Sequence, residues 1–321
     1  MRRVGAIDCG TNSVRLLIAE AAGRGQLREI HREMRIVRLG QGVDRTGRID
    51  PVALARTFDV VSQYAATCRE AGVERVRLVA TSATRDAANR ADFIAGIERI
   101  LGSAPDIISG DDEAALSFAG AATAVVGEPR PLLVVDIGGG STELVTGAAT
   151  PTAAASLDIG SVRLTERHFT ADPPTPAQIT AASADIDAAL DAAAGQLTLG
   201  CTRTVVGVAG SITTVTAHAL GLASYDRDAV NGAELPAESI HASCAALLAA
   251  PRAAREAMGF LHPGRIDVIA AGALIWSRIL TRVAQAMAGA GRPLGGVFTS
   301  EHDILDGLAL SLLTTHPDPA S

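Results

Sequence analysis

The chain has 321 residues, 48% hydrophobic, 20% charged and 3% aromatic, which provides for a large core in about two domains of ordinary size and excludes disorder. Its formal charge is −7, from 35 acidic and 28 basic side chains, and every basic one is Arg. With no Lys, a P-loop lysine, a kinase strand lysine and a Schiff-base lysine are all excluded.

The acidic balance also speaks against the basic stripe of a general nucleic-acid binder, so positive charge for an anionic substrate must come from Arg, a metal or backbone N–H groups. Cys9, Cys68, Cys201 and Cys244 are far apart and form no C-x-x-C pair, so they read as reduced thiols of a cytosolic protein. There is no H-E-x-x-H, no signal-peptide pattern, and no run of the roughly 18 to 20 apolar residues that a membrane span needs. The expectation is a soluble cytoplasmic protein with no membrane and no nucleic-acid partner.

In chain order, VGAIDCGTNSVRLLIAE at 4–20 is an apolar run ending in Asp8, a Gly/Ser/Thr turn and a second apolar run, the pattern of an antiparallel hairpin. Asp50-Pro51 reads as an N-cap and first helical position, opening a helix to about Ala71 with Gly72 as its stop. VRLVATSATRD at 76–86 reads as a buried strand running into a polar loop. Residues 89–101 read as a helix, PDIISG at 105–110 as a strand and turn, and 112–126 as a helix led by Asp112 and Glu113, acids suiting a helix N-terminus. GEPRP at 127–131 is the candidate linker, giving one domain over 1–126 and a second over 127–301, with about 302–315 returning to the first.

LLVVDIGGGSTELVTGA at 132–148 then repeats the opening hairpin. A shift of 128 carries Asp8 onto Asp136, Gly10 onto Gly138, Ser13 onto Ser141 and Leu16 onto Leu144. Two ordinary hairpins are the bland reading. Two facing α/β domains whose loops offer N–H donors to phosphate and carboxylates to a metal are the sharper one. Neither turn matches G-x-G-x-x-G, so a dinucleotide fingerprint is excluded. Thr175-Pro176-Ala177-Gln178 is a capping box opening a helix to about Ala194. VVGVAGSITTV at 205–215 reads as a strand, a small-residue turn and a helix start. Long helices follow over about Arg265–Ala288 and His302–Thr314.

Eight segments in order, AIDCGTNSVRLLI (6–18), RLGQGVD (38–44), VATSATRDAANR (79–90), ISGDDEAALSF (108–118), VVDIGGGSTELV (134–145), DIGSVRLTE (158–166), VGVAGSITT (206–214) and GRIDVIAAG (264–272), make the chain resemble the exopolyphosphatase / guanosine pentaphosphate phosphohydrolase family. That resemblance implies an α/β fold of two duplicated ribonuclease-H-like domains, of the actin, sugar-kinase and Hsp70 type, flanking a cleft. The implied activity is release of terminal orthophosphate from inorganic polyphosphate, or of the 5′ phosphate from guanosine pentaphosphate, with a divalent cation, usually Mg²⁺ or another such as Mn²⁺. A catalytically weak sensor of polyphosphate or nucleotide is a third reading. The chain looks like the short form, lacking the C-terminal helical domains through which longer members dimerise, and the assembly is open between monomer and homodimer.

Residue by residue, Glu113 matches the family's catalytic glutamate, although Asp112 stands where relatives often carry a second Glu. Asp136 and Glu143 match an acidic pair for metal or water, Glu143 counting also as catalytic, and Asp8 is the duplicate of Asp136, either a third metal ligand or a turn-capping Asp. Gly138, Gly139, Gly140, Ser141 and Thr142 would cradle a phosphate, with Thr11, Asn12 and Ser13 doing the same in the first copy. Arg38 and Arg85 are phosphate-binding candidates because the guanidinium fork pairs bidentately; Arg15, mid-strand, is a weaker one. Gly210 and Ser211 are either ligand contacts or tight strand–helix packing.

Overall fold

Both glycine-bearing segments fold as hairpins. Strand β1 (Arg3–Cys9) pairs antiparallel with β2 (Ser13–Ala21), which pairs with β3 (Leu27–Ile36), while β4 (Arg75–Ala80) lies parallel to β1 and β5 (Asp106–Ile107) parallel to β4, giving the order β3-β2-β1-β4-β5. The second sheet repeats this. Strands β6 (Leu132–Ile137), β7 (Thr142–Gly147) and β8 (Pro151–Leu157) form the meander, and β9 (Thr204–Val208) lies parallel to β6. The short β10 (Glu234–Pro236) flanks β11 (Gly296–Thr299), and the full order is β10-β11-β9-β6-β7-β8. With β10 set aside, the two sheets have one topology, that of duplicated ribonuclease-H-like domains.

The computed structural model describes residues 2–23 and 26–314. One compact unit runs to Thr123 and takes up the chain again at Ile304; the other spans Ala124–Asp303. In the first unit the two faces of the sheet are buried separately, as the period of two along a strand requires. Ile7, Cys9, Leu16 and Ile18 face a core shared with Tyr64, Phe93 and Ile97 of the Pro51–Glu70 and Arg90–Leu101 helices. Val4, Ala6, Leu17 and Ala19 face Ile304, Leu305 and Leu308 of the returning Ile304–Thr314 helix. The second unit has one core cluster in which Leu133, Val135 and Ile137 of β6 meet helices Pro176–Ala193 and Ile269–Gly289, with Trp276 fully buried.

Local signals explain where the helices begin. Asp50 accepts from Val52 N at 2.8 Å and Ala53 N at 3.3 Å with Pro51 in the first turn, and Gly72 just past the helix takes φ 67°. Thr175 and Gln178 form the expected reciprocal capping box. Elsewhere the structure departs from the sequence reading. Ser82–Asp86, read as polar loop, is a short helix. The helix expected over 112–126 is Gly110–Ala121, because Ser109 is its cap and Asp112 the third residue of a capping box. No turn separates β9 from its helix, which starts at Ala209 in a left-handed conformation with φ 68°. Pro263–Arg265 form a 3-10 turn capped by His262 Nδ1, delaying the long helix to Ile269, and the last helix starts at Ile304. All four cysteines are free thiols. Burial pushes Cys68 up to about 11 and Cys244 to about 12, so both stay protonated.

Candidate functional site

In the second unit the β6–β7 register sets Asp136 directly opposite Glu143, and both are buried, at 6% and 1% exposure. Ser156 Oγ on β8 donates to Glu143 Oε1 at 2.7 Å. Like charges opposed across two strands destabilise a sheet, so this pair is the candidate for holding a cation. Among the described residues no group of three or more His, Cys, Asp or Glu forms a metal-holding cluster. Mg²⁺ asks for less, because it binds through one or two carboxylates and completes its shell with water and substrate phosphate. The opposed pair fits that demand.

The turn joining these strands is closed by Gly138 N donating to Ser141 O at 3.0 Å. Its carbonyls are tied down one after another by the start of the Ser161–His168 helix. Gly138 O accepts from Ser161 N at 3.0 Å, Gly139 O from Val162 N at 2.9 Å and Arg163 N at 3.1 Å, and Gly140 O from Arg163 Nε at 2.7 Å. In a trans peptide the N–H points away from the C=O. Fixing these three carbonyls on one side therefore aims the N–H groups of Gly139, Gly140 and Ser141 to the other, a concavity suited to an anion. Gly160 must be glycine for this approach, since a Cβ there would run into the backbone of Gly139 and Gly140. Thr142 differs from expectation: it is fully buried and its hydroxyl donates to Ile159 O, so its proton is used within the protein.

The first unit repeats the turn with different chemistry. Gly10 N donates to Ser13 O at 3.0 Å, the counterpart of the Gly138–Ser141 bond, while Thr11 O accepts from Gly40 N at 2.8 Å and Asn12 O from Val37 N at 3.0 Å and Arg38 N at 2.9 Å. The opposed pair here is Asp8 and Arg15, which stands where the second copy has Glu143. Asp8 Oδ2 accepts from Arg15 Nε at 2.9 Å and Nη2 at 2.7 Å. The first copy thus supplies its own cation to its strand-end Asp. Thr11 Oγ1 lies 3.0 Å from Ser82 Oγ, and Arg38 is held in the left-handed region at φ 51°.

Glu113 belongs to the first unit, in the first turn of the Gly110–Ala121 helix, with 9% of its surface exposed. Arg85 Nη1, on the short Ser82–Asp86 helix, donates to Glu113 Oε2 at 3.3 Å and to Ile108 O at 3.0 Å. Arg85 therefore orients a carboxylate, a role that the phosphate-binding expectation did not include. Asp112 is spent on the cap, accepting from Ser109 Oγ at 2.7 Å.

Next to β6, β9 ends in register, Val208 beside Asp136, so Gly210 and Ser211 emerge at the same end of the second sheet as the glycine turn. In open α/β sheets that carboxyl end is where ligands bind. The Arg265 guanidinium lies against Gly210, where it would collide with any Cβ, and Ser211 packs on Gly272 in the same way. Ser161, Arg163 and Arg265 were not singled out in the sequence. The first two lie in DIGSVRLTE, whose contact with the glycine turn spans more than 20 residues and leaves no local signal.

Among the described residues no helix is long and apolar enough to cross a membrane. A profile of the Ppx/GppA phosphatase family matches residues 17–290. Exopolyphosphatase 2 of Mycobacterium tuberculosis is 45% identical over 320 residues, covering 97% of this chain and 99% of that protein. A solved exopolyphosphatase-like protein superimposes with a TM-score of 0.92 at 46% identity, over 97% of this chain and 98% of the other. The Aquifex aeolicus PPX-GPPA enzyme does so with 0.78 at 31% identity, over 97% and 99%.

Proposed function

The chain belongs to the Ppx/GppA phosphatase family, and from that membership we propose that it is a divalent-metal-dependent exopolyphosphatase, releasing terminal orthophosphate from inorganic polyphosphate by attack of water. The observation that carries the reading is the second-unit turn: two opposed buried acids, Asp136 and Glu143, beside a glycine loop whose carbonyls are all tied back.

Phosphoanhydride hydrolysis is mostly positioning and charge stabilisation. The Gly139, Gly140 and Ser141 N–H groups receive the terminal phosphate, and because their direction is fixed beforehand they need no reorganisation as charge builds on its oxygens. Asp136 and Glu143 would hold Mg²⁺, which when bound neutralises charge on the transferred group. Glu113, its carboxylate turned by Arg85, orients the water and accepts its proton. In the first unit, Asn12 and Ser13 N–H groups and the Arg38 side chain are the further phosphate contacts, and Gly210 and Ser211 serve the second unit in the same way. Asp8 is already paired with Arg15.

The test is orthophosphate release by the purified protein with Mg²⁺ from short polyphosphate, long polyphosphate, guanosine pentaphosphate and ATP. Release from polyphosphate that stops without the metal is the expected result. Release confined to the guanosine nucleotide would replace the substrate, and binding of polyphosphate without release would replace the enzyme with a sensor.

A further inference from the structure

The two acids of the second unit belong to a longer row. Register sets Asp136 of β6 opposite Glu143 of β7, and Glu143 opposite Ser156 of β8, so the three side chains stand on one face of the sheet. Ser156 Oγ closes the row by donating its proton to Glu143 Oε1 at 2.7 Å, the length of a hydroxyl bonded to a charged oxygen. In the first unit the matching row is Asp8, Arg15 and Met34, and the Met34 side chain has no proton to give. The hydroxyl therefore stands in the copy whose middle residue is an acid. Glu143 is buried, whereas Ser156 is open to solvent. An open hydroxyl has water as an alternative partner, so this bond adds little to folding.

We propose that Ser156 is a positioning residue for the divalent cation: its hydroxyl fixes the turn of the Glu143 carboxylate, so that Glu143 and Asp136 meet the metal in a preset arrangement. This rests on the reading that these two acids hold the cation. The last torsion of a Glu side chain is broad, and a hydrogen bond to one carboxylate oxygen narrows it. Mg²⁺ demands near-ideal octahedral geometry, so a carboxylate already turned binds it more tightly than one that must be ordered on binding. Hydrogen-bond partners of a metal ligand are worth about 10- to 100-fold in metal affinity. The other role open to such a bond is a plain cross-strand link between β7 and β8, which acts on stability without metal rather than on affinity.

Three substitutions separate the two roles. Thr and Val have nearly the same shape and both suit a strand, so Ser156→Thr and Ser156→Val differ in the hydroxyl alone. Ser156→Ala removes the hydroxyl without added bulk. Mn²⁺ serves as the probe, because electron paramagnetic resonance counts the free ion directly, with no substrate present and no turnover needed. Titration of the full chain should give a Kd about 10- to 100-fold weaker in Ser156→Val and Ser156→Ala than in wild type, with Ser156→Thr within about threefold of it. Unfolding midpoints in EDTA should not follow that order.

If Ser156→Ala does not fold, the Thr and Val pair decides alone. Val binding Mn²⁺ as tightly as Thr overturns the proposal, and so does an Ala variant within about threefold of wild type. A bond that merely ties β7 to β8 gives those affinities and lowers the midpoint in EDTA instead. Wild-type protein that binds no Mn²⁺, or a Glu143→Gln variant that binds it as tightly as wild type, overturns the reading of the acidic pair and this inference with it. Binding that needs Glu143 and ignores residue 156 overturns the inference alone.

Discussion

Glu113 and Asp112 are neighbours in sequence and have opposite fates, because the capping box spends one carboxylate on Ser109 and the helix turns the next inward toward Arg85. Both acids were visible in the sequence and Glu113 was the one its motif position marked as the base, but the fate of Asp112 was not, since that depends on the helix starting at Gly110 rather than at Asp112. Glu113→Gln keeps the shape and an acceptor for Arg85 while removing the proton acceptor, so kcat should fall by about 10²- to 10⁴-fold with KM nearly unchanged. Steady-state kinetics on polyphosphate checks this, and near-normal turnover would remove Glu113 as the base. Ala209 carries a second prediction. At φ 68° it sits where a Cβ costs roughly 1–2 kcal/mol, against about 0.5–1 kcal/mol for the extra freedom that glycine loses on folding. Ala209→Gly should therefore stabilise the protein by about 0.5–1 kcal/mol, read as a higher unfolding midpoint; a lower midpoint would show that the Ala side chain makes packing worth more than the strain.

At the level of elements, the duplicated hairpin was readable because its cues are local: an apolar run, an Asp, a glycine turn and a second apolar run, followed by a register that puts residues 8 and 15, or 136 and 143, opposite each other. Helices with a cap in the sequence, at Asp50 and Thr175, were readable for the same reason. The Ser82–Asp86 helix was not, since five polar and small residues carry no period, and the grip of Arg163 on Gly140 was not, since it joins residues that only the folded chain brings together. The hairpins differ at one chemically decisive position, Arg15 against Glu143. In the first copy Arg15 pairs with Asp8, whereas the second sets two acids opposite each other, an arrangement that costs of order 0.2–1 kcal/mol. Glu143→Gln removes it and retains an acceptor for Ser156, so without metal the variant should unfold at or above the wild-type midpoint while losing turnover. Mg²⁺ should stabilise wild type, by about 2.7 kcal/mol at a hundredfold excess over Kd, and the variant far less. Calorimetric scans in EDTA and in Mg²⁺ make the comparison, and equal shifts in both proteins would move the metal away from this pair.

Across the whole molecule, the first unit is completed only by its last helix. Ile304, Leu305, Leu308 and Leu312 are at most 3% exposed and cover the sheet face formed by Val4, Ala6, Leu17, Ala19 and Val79. Arg32 binds Asp306 at 2.5 and 3.3 Å, Arg77 reaches Ser311 at 3.3 Å, and Gly307 lets the helix lie so close to Leu116 O that a Cβ would collide with it. Burying four large aliphatic side chains is worth about 1.5–3 kcal/mol each. Their sum is of the same order as the roughly 5–15 kcal/mol that keeps a whole domain folded. The second unit, by contrast, is continuous from Ala124 to Asp303 with its own core. Residues 124–303 expressed alone should therefore unfold cooperatively, as a folded domain does. Residues 1–123 alone should stay unfolded, and should recover a cooperative transition when 304–314 is joined to them through a flexible linker long enough to let the helix reach β1 and β2. Circular dichroism melts of the three proteins test this, and a cooperative melt of 1–123 by itself would show that the helix covers a sheet already able to stand without it.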